Sequence, residues 1–253
     1  MSTITGDYHT HTTFSHGHGS IEQNAQAALD AGLRELAITD HGFGHGAFGV
    51  RRKEIPKMRT EINELNERFP ELKIYLGVEA NILDAKGRVD LSDEDRQSLD
   101  IIVCGYHKFV KSSALSYFAP NNLGIRSVKA KVRNTDAYIK VLERGFIDIL
   151  SHPGNFCPCD IREVARACKA YNTYFELNGK RILISDEELS VAASEDCEFI
   201  LDSDAHDHVR VGDVSAALKR ADLIGLPHER IANYGKLPKF KKIKRVEAES
   251  EHQ

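Results

Sequence analysis

Short apolar runs alternate along this chain with longer segments in which apolar residues recur every three or four positions. A run of about four to eight apolar residues is typical of a buried strand, and the wider spacing is typical of an amphipathic helix. The runs predict seven strands, at residues 7–11, 36–41, 73–79, 100–107, 146–153, 173–177 and 199–206. The spaced segments predict helices at residues 21–31, 53–68, 135–144, 161–171, 186–195 and 213–223.

Strands that alternate with helices favour parallel strands joined by right-handed crossovers, either in an open doubly wound sheet or in a closed barrel. Histidine, aspartate or glutamate stands at the carboxyl end of six of the seven predicted strands. A barrel brings the carboxyl ends of all its strands to one face, whereas an open sheet concentrates its site at a switch point. The pattern therefore predicts an α/β barrel of seven strands.

Three segments interrupt this alternation. We interpret residues 108–133 as a substrate loop or an irregular excursion, because structureless connections of this length are uncommon in compact domains. The glycine-rich stretch 42–49 lacks the phosphate-loop pattern and is expected to form a mobile loop at the barrel mouth. From about residue 236 the chain is first basic and then acidic, which is typical of a solvated end. We predict one domain, residues 1–253, with a short charged tail.

The composition is that of a globular protein, with 41% hydrophobic and 28% charged residues among 253. A formal charge of −4 gives no overall bias towards nucleic acid or an anionic membrane. No segment approaches the roughly 18 consecutive apolar residues of a membrane helix, and no secretory signal is visible, so we expect a cytoplasmic protein without a membrane partner. Five cysteines without secretory context favour reduced thiols.

Twelve histidines are the most unusual feature of the composition. Residues two apart in a strand point to the same side, so His9 and His11 would present two imidazoles together. A single histidine at a strand end is more often a hydrogen-bonded structural residue than a ligand, but six such strand ends indicate a shared site. The mixture of nitrogen and oxygen ligands suits zinc, manganese or iron. The candidate ligands are His9, His11, His16, His41, Glu79, His107, His152, Asp204 and His206.

Six short motifs follow one another along the chain: His9-Thr10-His11, Thr39-Asp40-His41-Gly42, Gly77-Val78-Glu79, Gly105-Tyr106-His107, Ser151-His152-Pro153-Gly154 and Ser203-Asp204-Ala205-His206. In residue types and order they resemble the polymerase and histidinol phosphatase (PHP) superfamily of metal-dependent phosphoesterases, and in particular its compact stand-alone bacterial phosphatases. The resemblance extends over about residues 7–233. It implies a distorted (β/α)7 TIM-like barrel, the PHP fold, and a site for three divalent transition-metal ions, which could be zinc, manganese or iron.

The resemblance also implies how the ligands are divided among the three ions. The first ion would be held by His9, His11, Glu79 and Asp204. Glu79 would bridge to the second ion, which His107 and His152 complete. The third would be held by His16, His41 and His206. His18 is an alternative ligand in the same segment, and motif spacing favours His16.

Other residues near these motifs have less specific roles. Asp7, Asp40 and Asp202 adjoin ligand positions and would either orient imidazoles or form buried structural hydrogen bonds. His45 matches no motif position and is expected at the surface or behind the ligands. The cations that follow strand ends and could bind the phosphate or the leaving group are Arg51, Arg52, Lys108, Lys111, Lys180 and Arg181.

The chemistry of such a site suits hydrolysis of phosphate esters. Three divalent ions with two anionic protein ligands would leave a positive cavity that attracts a phosphate dianion and stabilises charge on its equatorial oxygens. A water bridging two metals would lose a proton near neutral pH, so we expect direct attack on phosphorus by a metal-bound hydroxide. Asp204 or His206 would manage the proton beside the bridging Glu79.

The sequence therefore predicts a hydrolase acting on phosphoric ester bonds, with small phosphomonoesters as its substrates. One alternative is a histidinol-phosphate phosphatase. Another is a phosphodiesterase or nuclease, for which nucleic acid would be the partner; the absence of a polymerase region and of a broad basic stripe weakens it. A metal-binding module without turnover is a fourth interpretation, which the ligand set does not separate from catalysis.

Overall fold

The computed structural model of the protein describes residues 4–111 and 115–243. At its centre lies a sheet of seven parallel strands whose spatial order is their order in the chain. The strands are β1 (Gly6–Thr10), β2 (Glu35–Ile38), β3 (Lys73–Asn81), β4 (Ile101–Gly105), β5 (Ile149–Leu150), β6 (Tyr174–Asn178) and β7 (Phe199–Asp202). The sheet curls so that β1 contacts β7, which confirms the predicted barrel of seven strands.

Helices alternate with these strands on the outside of the barrel. They are α1 (Ile21–Asp30), α2 (Ile55–Arg68), α3 (Asp93–Ser98), α4 (Leu115–Asn122), α5 (Val128–Leu142), α6 (Ile161–Ala170), α7 (Asp186–Ala193) and α8 (Ser215–Leu223). Helix α1 begins at a capping box, in which Ser20 and Gln23 exchange side-chain-to-backbone hydrogen bonds. Within the described ranges, no helix has the length and apolar character that crossing a membrane would require.

The connection 108–133, interpreted from the sequence as a substrate loop or an irregular excursion, is largely helical. It contains α4 and the beginning of α5, which starts where the Ser127 side chain accepts a hydrogen bond from the N–H of Ala130. The two helices are joined by buried hydrogen bonds between the side chains of Asn121 and Asn134. The sequence does not reveal these helices because α5 buries small and polar residues here, which gives little apolar periodicity. Residues 112–114 lie outside the described residues.

The end of the barrel at which the strands begin is closed by the segment that the sequence predicts to be a solvated tail. Phe240 is buried there, and its ring centroid lies 4.8 Å from that of Tyr8 and 5.9 Å from that of Tyr174. The N–H of Lys241 donates a hydrogen bond to Asp148 (2.8 Å). Residues 236–243 therefore belong to the packed domain, because one aromatic residue among the lysines fills the barrel floor. Residues 244–253 lie outside the described residues.

The barrel closes between β1 and β7 through two buried carboxylates. Asp202 accepts a hydrogen bond from the N–H of Tyr8 (2.7 Å), and Asp7 accepts one from the N–H of Ser203 (3.1 Å). Each carboxylate satisfies a backbone donor that would otherwise be unpaired at this junction. Burial raises the pKa of both carboxyl groups, that of Asp202 well above its ordinary value. Of the two roles left open for these aspartates, they have the structural one.

Candidate metal centre

The carboxyl ends of the strands bring the predicted ligands together around Glu79, which is fully buried at the end of β3. Four imidazole nitrogens lie within 3.3 Å of its carboxylate oxygens, and a fifth, Nε2 of His11, lies at 3.7 Å. The distances to the nearer oxygen are 3.3 Å for His9 Nε2, 2.9 Å for His41 Nδ1, 3.1 Å for His107 Nε2 and 2.8 Å for His152 Nε2. These histidines follow or end different strands, so only the closed barrel places them on one carboxylate.

Asp204 forms a second centre of contacts, two residues after β7. Its Oδ1 atom lies 3.2 Å from His11 Nε2, 3.3 Å from His206 Nδ1 and 3.9 Å from His9 Nε2. The backbone of Asp204 has a φ of +50°, a left-handed conformation that is costly for a residue other than glycine. His152 shares this feature with a φ of +32°. Strained backbone thus occurs at two of the predicted ligands.

His16 joins the cluster from the loop after β1. Its ring stacks on that of His41, with centroids 4.8 Å apart and an interplanar angle of 10°, and lies 4.3 Å from the ring of His206. The side chain of His18 is exposed and does not line the pocket above the cluster. The described geometry therefore brings His16, rather than His18, to the other candidate ligands.

Asp40 positions the loop that carries His16. Its carboxylate accepts hydrogen bonds from the backbone N–H (2.7 Å) and the hydroxyl (2.6 Å) of Thr12, and from the hydroxyl of Ser15. Burial raises the pKa of Asp40 to about 6. Asp40 thus holds the loop that carries His16 through Thr12 and Ser15. Its hydrogen bonds position the imidazole of His16 by way of this loop.

The cluster contains buried polar atoms that find no hydrogen-bond partner within the described protein. They include Nε2 of His9, both ring nitrogens of His11, Nδ1 of His41, Oε2 of Glu79 and Nε2 of His107. Although His41 Nδ1 lies only 2.9 Å from Glu79 Oε2, the two atoms are not oriented as a hydrogen bond. Each unpaired buried group would cost about 1–3 kcal/mol, so such a concentration favours a site that binds ions.

These same atoms fit divalent ions. Three overlapping sets of ligand atoms, each within 4.8 Å of one another, are formed by His9, His11 and Glu79; by His11, His41 and His206; and by His41, Glu79 and His107. The donor set of imidazoles and carboxylates suits a transition metal such as zinc, manganese or iron. The described residues can therefore hold metal ions at adjoining positions.

Electrostatics keeps the two central carboxylates ionised. Burial alone would raise the pKa of Glu79, but the neighbouring His107 and His9 hold it well below its ordinary value. The pKa of Asp204 is likewise held well below its usual range, because His9 and His11 outweigh the effect of burial.

Burial has the opposite consequence for three of the imidazoles. It lowers the pKa of His41 to about 3 and that of His16 to about 4, and the pKa of His11 falls well below its ordinary value. At His9 and His152 burial also lowers the pKa, but the neighbouring carboxylates outweigh it and raise the pKa of both. Imidazoles bind metal in the neutral state and carboxylates in the ionised state, so ions bound here would displace protons from His9 and His152.

Glu176 is a functional candidate that the sequence analysis missed. This buried residue of β6 accepts a hydrogen bond from Nδ1 of His9 (2.6 Å) and another from the backbone N–H of His152 (2.6 Å). The sequence signal was a pair of polar residues two positions apart, Glu176 and Asn178, at the end of a predicted strand. In the structure, Asn178 also reaches the site, because its Nδ2 donates a hydrogen bond to Asp204 Oδ2 (3.2 Å). Strand six therefore contributes to the site through its hydrogen bonds to ligand residues.

A second series of hydrogen bonds fixes the side chain of His107. Its Nδ1 atom donates a hydrogen bond to the side-chain oxygen of Asn81 (2.8 Å), whose amide nitrogen in turn donates to Asp90 (2.6 Å). Asp90 also accepts a hydrogen bond from the N–H of Gly44 (2.6 Å) in the glycine-rich loop. The glycine-rich loop and His107 are thus both tied to the buried carboxylate of Asp90.

A pocket of about 430 Å³ opens above the cluster. Lys108, Lys180 and Arg181 line it, and Lys180 Nζ lies 2.9 Å from Nδ1 of His206. Arg51 does not line it; its side chain is exposed and pairs with Glu54 (3.1 Å).

Two further residues near the pocket differ from their expected places. Arg52, considered with the same cations, pairs with Asp95 at 2.9 Å. His45, expected at the surface or behind the ligands, lines the pocket with its ring 5.3 Å from that of His41, and burial lowers its pKa to about 4.

Comparison with known proteins points to one family. A family model described as the PHP domain matches residues 7–185, so Asp204 and His206 lie after the matched segment. A probable phosphatase of Caldanaerobacter subterraneus is 31% identical over 242 residues, which cover 90% of this chain and 86% of the relative. A probable phosphatase of Shewanella amazonensis is 30% identical, with the same coverage of 90% and 86%.

The fold has solved counterparts. The structure of histidinol phosphate phosphatase from Lactococcus lactis, a complex with zinc, L-histidinol and phosphate, superimposes with a TM-score of 0.59. The alignment covers 87% of this chain and 92% of the other, and the two sequences are 17% identical. At that identity the likeness concerns the fold of the barrel.

Proposed function

We propose that this chain, which belongs to the PHP domain family and is a phosphoester hydrolase, is a phosphatase that uses three transition-metal ions to hydrolyse small phosphomonoesters. One observation carries the proposal: the nine candidate ligands form one cluster, and seven of them line a pocket that Lys108, Lys180 and Arg181 also line. A floor suited to divalent ions and a cationic mouth are together complementary to a phosphate dianion.

The ligands would be divided as the family resemblance implies. Glu79, with four imidazoles around its carboxylate, is suited to bridge two ions. The stacked rings of His16 and His41 beside His206 suit the third ion. Bound divalent ions would supply charge neutralisation at the phosphate and would lower the pKa of a water molecule that attacks phosphorus.

The chain's own residues would bind the substrate and manage the proton. Asp204, ionised at neutral pH, can accept the proton of the attacking water at a carboxylate oxygen, and His206 can relay it because its Nδ1 lies 3.3 Å from Asp204 Oδ1. The ammonium group of Lys180, beside His206, can hold a phosphate oxygen by a charge-assisted hydrogen bond. Glu176 would keep Nε2 of His9 directed at the floor.

Two measurements test this proposal. Elemental analysis of the purified protein should find close to three transition-metal ions per chain, and a value near zero after growth in metal-replete medium would contradict it. Initial rates should then be compared for an aryl phosphate, a bis-aryl phosphate diester, histidinol phosphate and short oligonucleotides. We expect the monoester to turn over faster than the diester and the oligonucleotides; the reverse order would favour the phosphodiesterase alternative. The cytoplasmic location stays a prediction.

A further inference from the structure

The apolar surface of the pocket consists of rings. Phe48, Phe109 and Phe156 lie at its rim, and the histidines and Tyr106 make up the ring surface below them. Among the described residues that line the pocket there is no alanine, valine, leucine, isoleucine or methionine. Aliphatic residues dominate the barrel core, so their exclusion from this lining is a local property of the pocket.

The three phenylalanines expose apolar rings to solvent around one pocket, and such a grouping of exposed apolar side chains often marks a binding site. Their side chains are 44% (Phe48), 73% (Phe109) and 41% (Phe156) exposed. Phe109 and Phe156 also have left-handed backbones, with φ of +62° and +56°. Such a conformation is unfavourable for a bulky side chain, and it persists where the surrounding structure enforces it, often at ligand sites.

Phe109 is held in place by a pairing of two loops. The N–H of Lys111 donates a hydrogen bond to the carbonyl of Gly44 (2.8 Å), and His45 forms an antiparallel bridge with Val110. Gly46 permits this approach, because a Cβ atom there would lie 3.0 Å from the carbonyl oxygen of Phe109. The segment that carries Phe109 is thus anchored to the glycine-rich loop.

Phe156 is held by a separate set of contacts. The preceding residue, Asn155, donates a hydrogen bond to the carbonyl of Arg181 (3.2 Å) and accepts one from the N–H of Leu183 (3.1 Å). The ammonium group of Lys108 lies 4.4 Å from the ring centroid of Phe156. One side of this ring therefore already takes part in a cation–π contact, and the rim combines ring faces with positive charge.

We propose that this rim selects phosphomonoesters whose leaving alcohol carries a planar aromatic ring. This inference rests on the proposed phosphatase function, which places the phosphate at the floor and so directs the leaving group towards the rim. A planar ring would pack against Phe48, Phe109 and Phe156 by offset or edge-to-face contacts, with Lys108 beside it. A puckered aliphatic ring of the same size buries similar area but lacks these contacts.

The test compares benzyl phosphate with cyclohexylmethyl phosphate. Both release a primary alcohol, so the two substrates differ mainly in the aromaticity of the ring. We expect kcat/KM of the wild-type protein to favour benzyl phosphate by about three- to tenfold. Phe109→Leu and Phe156→Leu should each reduce this ratio, and the double variant should bring it close to one. Equal rates for the two substrates in the wild type, or a ratio that the variants leave unchanged, would overturn the inference.

A matched control is Phe146→Leu, because the ring of Phe146 also lies under a cation, with Arg96 at 4.3 Å, but outside the pocket lining. Its ratio should equal that of the wild type. Binding of benzylphosphonate and cyclohexylmethylphosphonate, measured by calorimetry, gives a second readout that needs no turnover. Absence of phosphate release from both esters would contradict the proposed function, whereas equal binding of the two phosphonates would contradict only the aromatic preference.

Discussion

Nδ1 of His9 lies 2.6 Å from Oε1 of Glu176, although the two residues are 167 positions apart in the chain. The contact directs the other nitrogen of His9 towards Glu79 and Asp204. A register shift in the pairing of β1 with β2, between Asp7 and Thr10, accompanies this orientation. An irregularity of this kind can re-aim a side chain, and here both Tyr8 and His9 reach the barrel interior.

We therefore expect Glu176→Gln to weaken metal binding by about 10- to 100-fold, as is usual when the hydrogen-bond partner of a metal-binding imidazole is altered. The substitution preserves the shape of the side chain and removes its charge. Metal retention after dialysis against a graded series of chelator concentrations measures the effect. Glu187→Gln, at an exposed position of α7, is the control. Retention equal to that of the control would contradict the positioning role of Glu176.

Glu79→Gln should reduce activity more than His16→Ala does. Glu79 contacts four imidazoles, so its substitution disturbs the whole cluster, whereas His16 lies at one edge. We expect a loss in kcat/KM of about 100-fold or more for Glu79→Gln and about tenfold for His16→Ala. The control is His228→Ala, since His228 pairs with Asp222 at the surface. Equal, small losses for both site variants would count against a bridging role for Glu79.

Asn233→Ala should destabilise the junction between β1 and β7. The buried Asn233 side chain donates to the carbonyls of Gly6 (2.9 Å) and Leu201 (2.6 Å) and accepts from the N–H of Leu201 (3.1 Å). Its removal leaves buried backbone groups unpaired, so the free energy of unfolding should fall by about 2–4 kcal/mol. Urea denaturation measures this loss. The exposed Asn63→Ala variant in α2 should change it little, and a comparable loss there would contradict the assignment.

Phe240→Ala tests whether the segment 236–243 belongs to the packed domain. The ring is 6% exposed and fills the barrel floor, so the free energy of unfolding should fall by about 3–5 kcal/mol. Leu223→Ala, at a side chain that is 70% exposed, is the control in the same urea measurement. A midpoint unchanged by Phe240→Ala would mean that this segment contributes nothing to stability.

The sequence by itself determined the barrel class and brought nine residues forward as ligands. Both results depend on local patterns: apolar runs of strand length, helical spacing between them, and titratable residues at the strand ends. Ser20 and Gln23 show the same locality, because a helix cap involves residues three apart. The sequence also separated the candidate ligands from most other histidines, because each ligand belongs to a short motif that can be recognised without knowledge of the fold.

Only the tertiary structure decided which residues support those candidate ligands and which line the pocket above them. The short-range signal for Glu176 is only its alternation with Asn178, and Asp90 and the rim phenylalanines have none, because each acts on residues that are distant in sequence. The segment 236–243 looked solvated because charge dominates it locally, yet Phe240 finds its partners in Tyr8 and Tyr174 across the barrel. The physical reason is common to all of them: burial and hydrogen bonding between distant segments exist only after the barrel has closed.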